Sequence, residues 1–138
     1  MAKDEAARDG LTGPARGVSL LVPLLGEVVA PRFDLATEVL IVRVRKGRLV
    51  GEPRIVLLPG FSADALCSLV LEERITDLVC GGIEDAHYQY LAWKKVRVLD
   101  RVIGRWEGVL ALFLRDALRP GAVVREPWPP PGSLPGRR

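Results

Sequence analysis

The N-terminal part of the chain alternates between apolar runs and breaks in a way that is typical of short strands. Runs rich in Val, Ile and Leu occupy residues 18–23, 38–44 and 48–58. A Lys-Gly dipeptide at 46–47 separates the second run from the third, which predicts a β-hairpin. Because Pro53 has no amide proton for a sheet hydrogen bond, we expect the second arm to lie at a sheet edge or to contain a bulge.

Helical and strand patterns alternate over the following 60 or so residues. Ser62 is a typical N-cap, and an apolar stripe with helical spacing follows it at Ala63, Leu66, Cys67 and Val70. The next segments are predicted as a strand at 76–80, a helix at 84–93, a strand at 96–99 and a helix at 106–118. The order β-β-β-α-β-α-β-α predicts an α/β domain with a mixed sheet of about five strands, part of it parallel.

The two ends of the chain lack this pattern. Residues 1–16 are polar, contain glycine and proline and show no periodicity, which predicts a flexible leader. Residues 119–138 include Pro-Trp-Pro-Pro-Pro at 127–131, and such a segment cannot join a helix or an inner strand. We therefore expect one domain at 17–118 and a proline-rich, disordered tail after it.

Composition and hydropathy favour a cytoplasmic globular protein. Hydrophobic residues make up 49% and charged residues 27% of the chain, as in ordinary soluble domains. No apolar run is long enough to cross a membrane, and residues 1–16 lack the apolar stretch of a signal peptide. The sequence therefore predicts a cytoplasmic location without a membrane partner.

The distribution of charge argues against a nucleic-acid partner. The net charge is +3. Residues 1–16 contain three basic and three acidic side chains, and residues 119–138 contain four arginines and one glutamate, so the sums are 0 and +3. Residues 17–118 are therefore neutral overall. Because a nucleic-acid surface needs Lys and Arg clustered on the folded domain, we expect no nucleic-acid partner.

The two cysteines, Cys67 and Cys80, limit the metal chemistry of the chain. They form no CxxC motif, and one chain with two thiols cannot build a structural zinc site or a four-thiolate iron–sulfur cluster. A disulfide between them is not expected in the cytoplasm. Cys67 lies on the apolar stripe of the first helix and is interpreted as a core residue.

Three short signatures occur in order along the domain. The first is VVAPRFDLA at 28–36, after a strand that ends in Val-Pro. The second is DLVCGGI at 77–83, and the third is WKKVRV at 93–98. Together they resemble the dinitrogenase iron-molybdenum cofactor biosynthesis family, which comprises NifX-like proteins and the C-terminal domain of NifB. Ala30 stands where the family usually has Ser, and Asp34 where it usually has Gly.

This resemblance covers residues 17–118 and implies a ribonuclease-H-like, three-layer α/β fold. It also implies binding or delivery of iron-molybdenum cofactor precursors, with cluster donor or acceptor proteins as partners. Many members of the family act outside nitrogen fixation.

Cys80 and His87 are the candidate ligands of such a cluster. Cys80 ends a predicted parallel strand, at the sheet edge where α/β proteins usually bind ligands. Gly81 and Gly82 would allow close approach to the backbone, and the following helix N-terminus would favour a thiolate or an anionic cluster. Because a preassembled cluster brings its own sulfides, one or two protein ligands would suffice.

Each candidate also has a purely structural interpretation. A cysteine that ends a buried strand often only packs. His87 shares a stripe with Ile83 and Leu91, which would turn it towards the sheet, half-buried and bonded to a carbonyl. Arg32 could pair with an anionic ligand or simply with a neighbouring carboxylate.

Three functional hypotheses follow from the resemblance and from these residues. The first is a non-enzymatic binding or carrier domain for an iron–sulfur or molybdenum-containing cluster. The second is a cofactor-free interaction or regulatory module of the same fold, acting through a partner or as a homodimer by way of the sheet edge near Pro53 and the tail. The third, a ribonuclease-H-type nuclease, needs a carboxylate on the first strand, and residues 18–23 contain none. We therefore expect no enzymatic activity.

Overall fold

The computed structural model of the protein describes residues 17–60 and 62–125. The predicted leader at 1–16 and the tail beyond residue 125 lie outside these residues. The strands are β1 (Val18–Leu25), β2 (Val28–Val29), β3 (Glu38–Arg45), β4 (Arg48–Leu57), β5 (Asp77–Val79) and β6 (Arg97–Leu99), and the helices are α1 (Ala63–Glu72), α2 (Asp85–Trp93) and α3 (Trp106–Leu114).

The described residues form one mixed sheet with the order β4-β3-β1-β5-β6, and the short β2 pairs with β1. β1, β5 and β6 are parallel, whereas β3 and β4 are antiparallel to their neighbours. The pattern of apolar residues predicts every strand except β2, which is too short to show a period. The predicted α/β fold class is confirmed.

The β3–β4 hairpin has the predicted turn and the predicted irregularity. Lys46 and Gly47 both have positive φ, 54° and 75°, as a two-residue turn of the I′ type requires. The register shifts opposite Ile41 and Arg43, where Gly51 has a φ of 75°. β4 is also the edge strand, so both consequences expected of Pro53 are observed.

Two apolar layers lie on opposite faces of the sheet. On one face Leu21, Ile41 and Leu78 pack against α1 and α2, and on the other Leu20, Val42 and Val79 pack against α3. Cys67 is 7% exposed within the first layer, which confirms it as a core residue. The Ser62 hydroxyl accepts a hydrogen bond from the Ala65 amide at 3.1 Å, so the predicted N-cap of α1 is also observed.

The end of the domain differs from the prediction. α3 ends at Leu114 rather than at residue 118, because Asp116 adopts a φ of 57° that a helix cannot continue. Residues 119–125 then return to the sheet edge. The Ile103 amide donates to Ala122 at 2.9 Å, and the Val124 amide donates to Ile103 at 2.8 Å. The boundary predicted at residue 118 is therefore wrong, since the domain continues at least to residue 125.

No helix in the described part of the chain is long and apolar enough to cross a membrane.

Candidate functional site

The loops that follow β2 and β5 are joined at the carboxyl edge of the parallel strands. The Gly82 amide donates to the Pro31 carbonyl at 2.7 Å, and the Phe33 amide donates to the Gly82 carbonyl at 2.7 Å. These two bonds make a parallel bridge between Arg32 and Gly82. The first two sequence signatures thus meet at one point, which is the sheet edge predicted for a ligand.

Gly81 is required by this junction. A Cβ atom on Gly81 would lie 2.6 Å from the Pro31 carbonyl oxygen and closer still to that of Ala30. The space beside Gly81 is therefore filled by the protein's own backbone. We expected both glycines to leave room for a ligand. For Gly81 that interpretation is wrong, because the close approach is made by the loop after β2.

A cleft opens on the other side of the junction, next to Gly82. Its volume is about 330 Å³, and it is lined mainly by Arg32, Phe33, Asp34, Gly82, Glu84 and His87. A one-turn 3-10 helix at Phe33–Leu35 supplies one wall, and the N-terminal end of α2 supplies the other. We call it the ligand cleft. It brings together three of the predicted site residues, Arg32, Gly82 and His87.

His87 is the only histidine of the chain and lines the ligand cleft. Its side chain is 25% exposed, and its Nε2 lies 3.8 Å from a Glu84 carboxylate oxygen. The ring stands 6.2 Å from that of Phe33, centroid to centroid. Among the described residues the imidazole has no hydrogen bond to a carbonyl, so the bonding that the structural interpretation expected is not observed there. The imidazole is oriented by packing and faces the cleft.

The ligand cleft contains one arginine and two carboxylates. Arg32 Nη2 binds Asp34 Oδ2 at 3.0 Å, and both side chains are well exposed. Glu84 adds a second carboxylate that is 73% exposed. The alternative in which Arg32 pairs with a neighbouring carboxylate is therefore observed. An exposed pair of this kind is weak, about 1 kcal/mol or less, so the guanidinium can be redirected to an anionic ligand.

Cys80 is separated from the cleft. The residue is fully buried in the apolar layer beneath α1 and α2. Its amide donates to Leu99, and its carbonyl accepts from Val102, both at 3.0 Å. Burial, and to a lesser degree the negative charge of Asp100, raises the pKa of the Cys80 thiol to about 12. Our expectation that the α2 N-terminus makes this cysteine a thiolate is therefore wrong for this conformation, because desolvation outweighs the helix.

The described residues contain no group of three or more His, Cys, Asp and Glu side chains that could hold a metal ion. A bare cation would thus find an incomplete set of ligands in the ligand cleft. A ligand that carries most of its own coordination needs less from the protein, and His87 can supply one bond to it.

A second cavity lies on the opposite side of Gly82 and has no clear signal in the sequence. Its volume is about 620 Å³, and its apolar lining includes Val28, Val29, Pro31, Val102, Ile103 and Val124. Two exposed arginines, Arg101 and Arg105, also line it. We call it the apolar groove. Val124 forms part of its wall because residues 122–124 fold back onto Ile103, and periodicity does not encode that contact.

Comparisons with known proteins support the fold. No protein-family model matches the sequence, and no curated protein matches it. Among solved structures, that of PH0822 has a TM-score of 0.68 and 16% identity, covering 74% of this chain and 93% of that one. A protein described as a candidate dinitrogenase from Methanocaldococcus jannaschii has a TM-score of 0.61 and 15% identity, covering 75% of this chain and 93% of that one.

A protein from Thermotoga described as a candidate NifB protein of the DUF35 family has a TM-score of 0.60 and 15% identity, covering 79% of this chain and 98% of that one. At such identities the likeness establishes a shared fold. The chain is therefore an α/β domain with the fold of these dinitrogenase-related and NifB-like structures, and it carries a small cleft at the carboxyl edge of its sheet.

Proposed function

We propose that this domain is a non-enzymatic carrier whose ligand cleft holds an anionic iron–sulfur or molybdenum-containing cluster, or a precursor of one. The observation that carries the proposal is the partly exposed imidazole of His87, which faces the same cleft as Arg32 beside Gly82. Two of the solved structures that share the fold are described as a candidate dinitrogenase and as a candidate NifB protein. These descriptions support the chemical class of cargo that we propose.

The chemistry of the cleft suits a cargo that brings its own sulfides. Imidazole is a good ligand for iron, and a single bond from His87 would anchor a cluster whose other positions are already filled. Arg32 would compensate negative charge on the cluster once its guanidinium turns away from Asp34. In this proposal Cys80 maintains the packing beneath the site and makes no contact with the cargo.

The excess of carboxylates over arginine in the cleft supports a carrier rather than a permanent holder. Asp34 competes with the cargo for Arg32, and Glu84 repels an anion. Both effects lower affinity, so the cargo would be released readily to an acceptor protein. Such donor or acceptor proteins are the partners that we propose.

We also propose that the domain has no nuclease activity. β1 is the central strand of the sheet, between β3 and β5, and its sequence VSLLVPLL contains no carboxylate. Two-metal cleavage of a phosphodiester needs several carboxylates close together. Incubation of the pure protein with an RNA–DNA hybrid and Mg²⁺ tests this point, and cleavage would contradict it.

The carrier proposal is tested by titrating anaerobic protein with a synthetic [4Fe–4S] thiolate cluster and following its visible absorption. We expect His87→Ala to weaken binding about 10-fold or more, as the loss of an important ligand or its support does in metal sites. Gln89→Ala, an exposed change on the same helix, should bind like the parent. Cys80→Ala should also bind like the parent, provided that its urea midpoint shows it to be folded. Equal binding by His87→Ala and the parent would refute the site.

One observation favours a second function, the cofactor-free interaction module. Leu49, Ile55 and Leu57 on edge strand β4 are 38%, 48% and 76% exposed. Leu49 and Ile55 pair with Val44 and Leu40 of the apolar layer that α3 covers, and Leu57 pairs with Glu38. Purification from native cells tests this second function. Metal-free protein that co-purifies with one partner would favour it, provided that the Leu57→Glu variant no longer binds that partner. Cytoplasmic location and a homodimer stay predictions under both functions.

A further inference from the structure

The apolar groove is an exposed hydrophobic surface beside the ligand cleft. Val28 is 39% exposed and Ile103 is 61% exposed, and both line the groove. It has nearly twice the volume of the ligand cleft. Single exposed apolar side chains are ordinary, but a contiguous concave group of them marks a surface that is covered by something.

The chain itself arrives at this groove. Residues 122–124 run parallel to residues 102–104, and Val123 forms a bridge with Ile103. Val124 lines the groove and would touch a Cβ placed on Gly104 or Gly108. The direction of these residues carries the chain past Gly104 towards Arg105. Thirteen further residues, 126–138, follow this point in the sequence.

Residues 126–131 of this segment combine an acid with an aromatic residue and four prolines, whereas its two arginines stand at the far end, at 137 and 138. Trp128 is the only aromatic residue of this segment and stands between prolines at 127 and 129. Glu126 is its only acid, and the charged residues that line the groove are Arg101 and Arg105. A tryptophan flanked by proline presents a large apolar face with little conformational entropy to lose. Proline-rich segments commonly bind apolar grooves in this way.

We propose that residues 126–138 of this same chain dock in the apolar groove, with Trp128 as the apolar anchor and Glu126 directed to the two arginines. Trp128 is four residues beyond Val124, and four residues in a polyproline conformation span about 12 Å. The anchor therefore reaches the groove without any change in the described residues. Gly82 lines both cavities, so the docking site adjoins the ligand cleft.

Methyl NMR of the full chain tests the docking directly. An indole ring shifts the resonances of the methyl groups that it contacts, so Trp128→Ala should move the Val28, Val102 and Ile103 methyl signals. The Leu49, Ile55 and Leu57 methyl groups on β4 act as internal controls and should not move. Unchanged groove signals, or equal shifts at β4, would overturn the proposal.

A matched pair of surface variants tests the groove from the other side. Ile103→Glu places a charge in the groove and should release the segment, which would reproduce the methyl shifts of Trp128→Ala. Leu57→Glu introduces the same charge at a similarly exposed site on β4 and should leave the groove signals unchanged. Both positions are exposed, so folding should survive. If the parent's groove shifts disappear on dilution, the segment comes from a second copy, and docking within one chain is wrong.

Discussion

Phe33 and Gly82, which are 49 positions apart in the sequence, are joined by a 2.7 Å hydrogen bond from the Phe33 amide to the Gly82 carbonyl. The Gly82 amide in turn donates to Pro31. The ligand cleft and the apolar groove lie on either side of this junction. The geometry of both cavities therefore depends on how closely the loop after β2 approaches the turn after β5.

We expect Gly81→Ala to destabilise the protein by about 2–3 kcal/mol, because the added methyl group meets backbone oxygens that cannot move independently. Gly82→Ala is the matched control. Its Cβ would lie 3.3 Å from the Pro31 oxygen, a contact that a small shift relieves, so we expect a loss of about 1 kcal/mol or less. Urea unfolding of both variants measures the difference, and equal midpoints would contradict this account of the junction.

Cys80 should be unreactive in the folded protein. Reaction with a disulfide reagent needs an accessible thiolate, whereas this thiol is fully buried with a pKa raised to about 12. The Cys67→Ala variant leaves Cys80 as the only thiol of the chain. At about pH 8 we expect the reagent to modify Cys80 in this variant only as fast as the domain opens, and to modify it rapidly in denaturant. A surface cysteine introduced by Val50→Cys, at a position 54% exposed, is the positive control. Rapid labelling of native Cys80 would show that it is available to a ligand after all.

The same thiol should make stability depend on alkaline pH. Its pKa rises from 9.0 to about 12 on folding, mainly through burial. Above about pH 9 the unfolded chain therefore releases a proton that the folded chain keeps, and stability falls as pH rises. The contribution of this thiol to the free energy of unfolding is fully present below about pH 9. Above about pH 9 it decreases by up to about 1.4 kcal/mol per pH unit.

The Cys80→Ala variant isolates this contribution. Between about pH 9 and 11 its unfolding free energy should fall less steeply than that of the parent, by about 1 kcal/mol per pH unit. Cys67→Ala serves as the comparison. Burial, and to a lesser degree Asp64, also raises the pKa of Cys67, so this variant loses the contribution of Cys67 and keeps that of Cys80. Parallel curves for the parent and Cys80→Ala would contradict the assigned pKa.

Removing the carboxylate of Asp34 should tighten cluster binding. Asp34→Asn frees Arg32 from its ion pair and removes a negative charge from the cleft, so we expect affinity for an anionic cluster to rise about threefold to tenfold at low salt. Asp64→Asn makes the same charge change on α1, where Asp64 lies outside the cleft lining, and should have little effect. Weaker binding by Asp34→Asn would instead show that the carboxylate is itself a ligand.

Periodicity predicts most of the fold because local and tertiary preferences agree there. The alternating and helical patterns give the strands and helices, Ser62 caps α1, and Pro53 lies at an irregular edge strand. These features depend on residues close in sequence, and each buries one face against the rest of the chain. The exceptions are β2 and the shortened α3, whose ends depend on tertiary contacts and on one residue with positive φ.

The site was predictable only in part. The order of the strands indicates which loops meet, so Arg32, Gly82 and His87 are found together as expected. Whether a side chain at a strand end faces the core or the edge depends on a shift of one residue, and the Cys80 side chain faces the core. The apolar groove depends on residues 119–125 turning back to Ile103, a contact for which no local pattern exists.

The central claim is that His87 is the side chain that contacts the cargo. The chain has a single histidine, so untagged protein labelled with ¹⁵N only at histidine gives an unambiguous signal. The deciding measurement is pulsed electron paramagnetic resonance of this protein, loaded anaerobically with a [4Fe–4S] cluster in a paramagnetic state. We predict a ¹⁵N hyperfine coupling typical of imidazole bound to iron. The control is His87→Ala, which should show no such coupling. A bound cluster without any histidine coupling would contradict the proposed site.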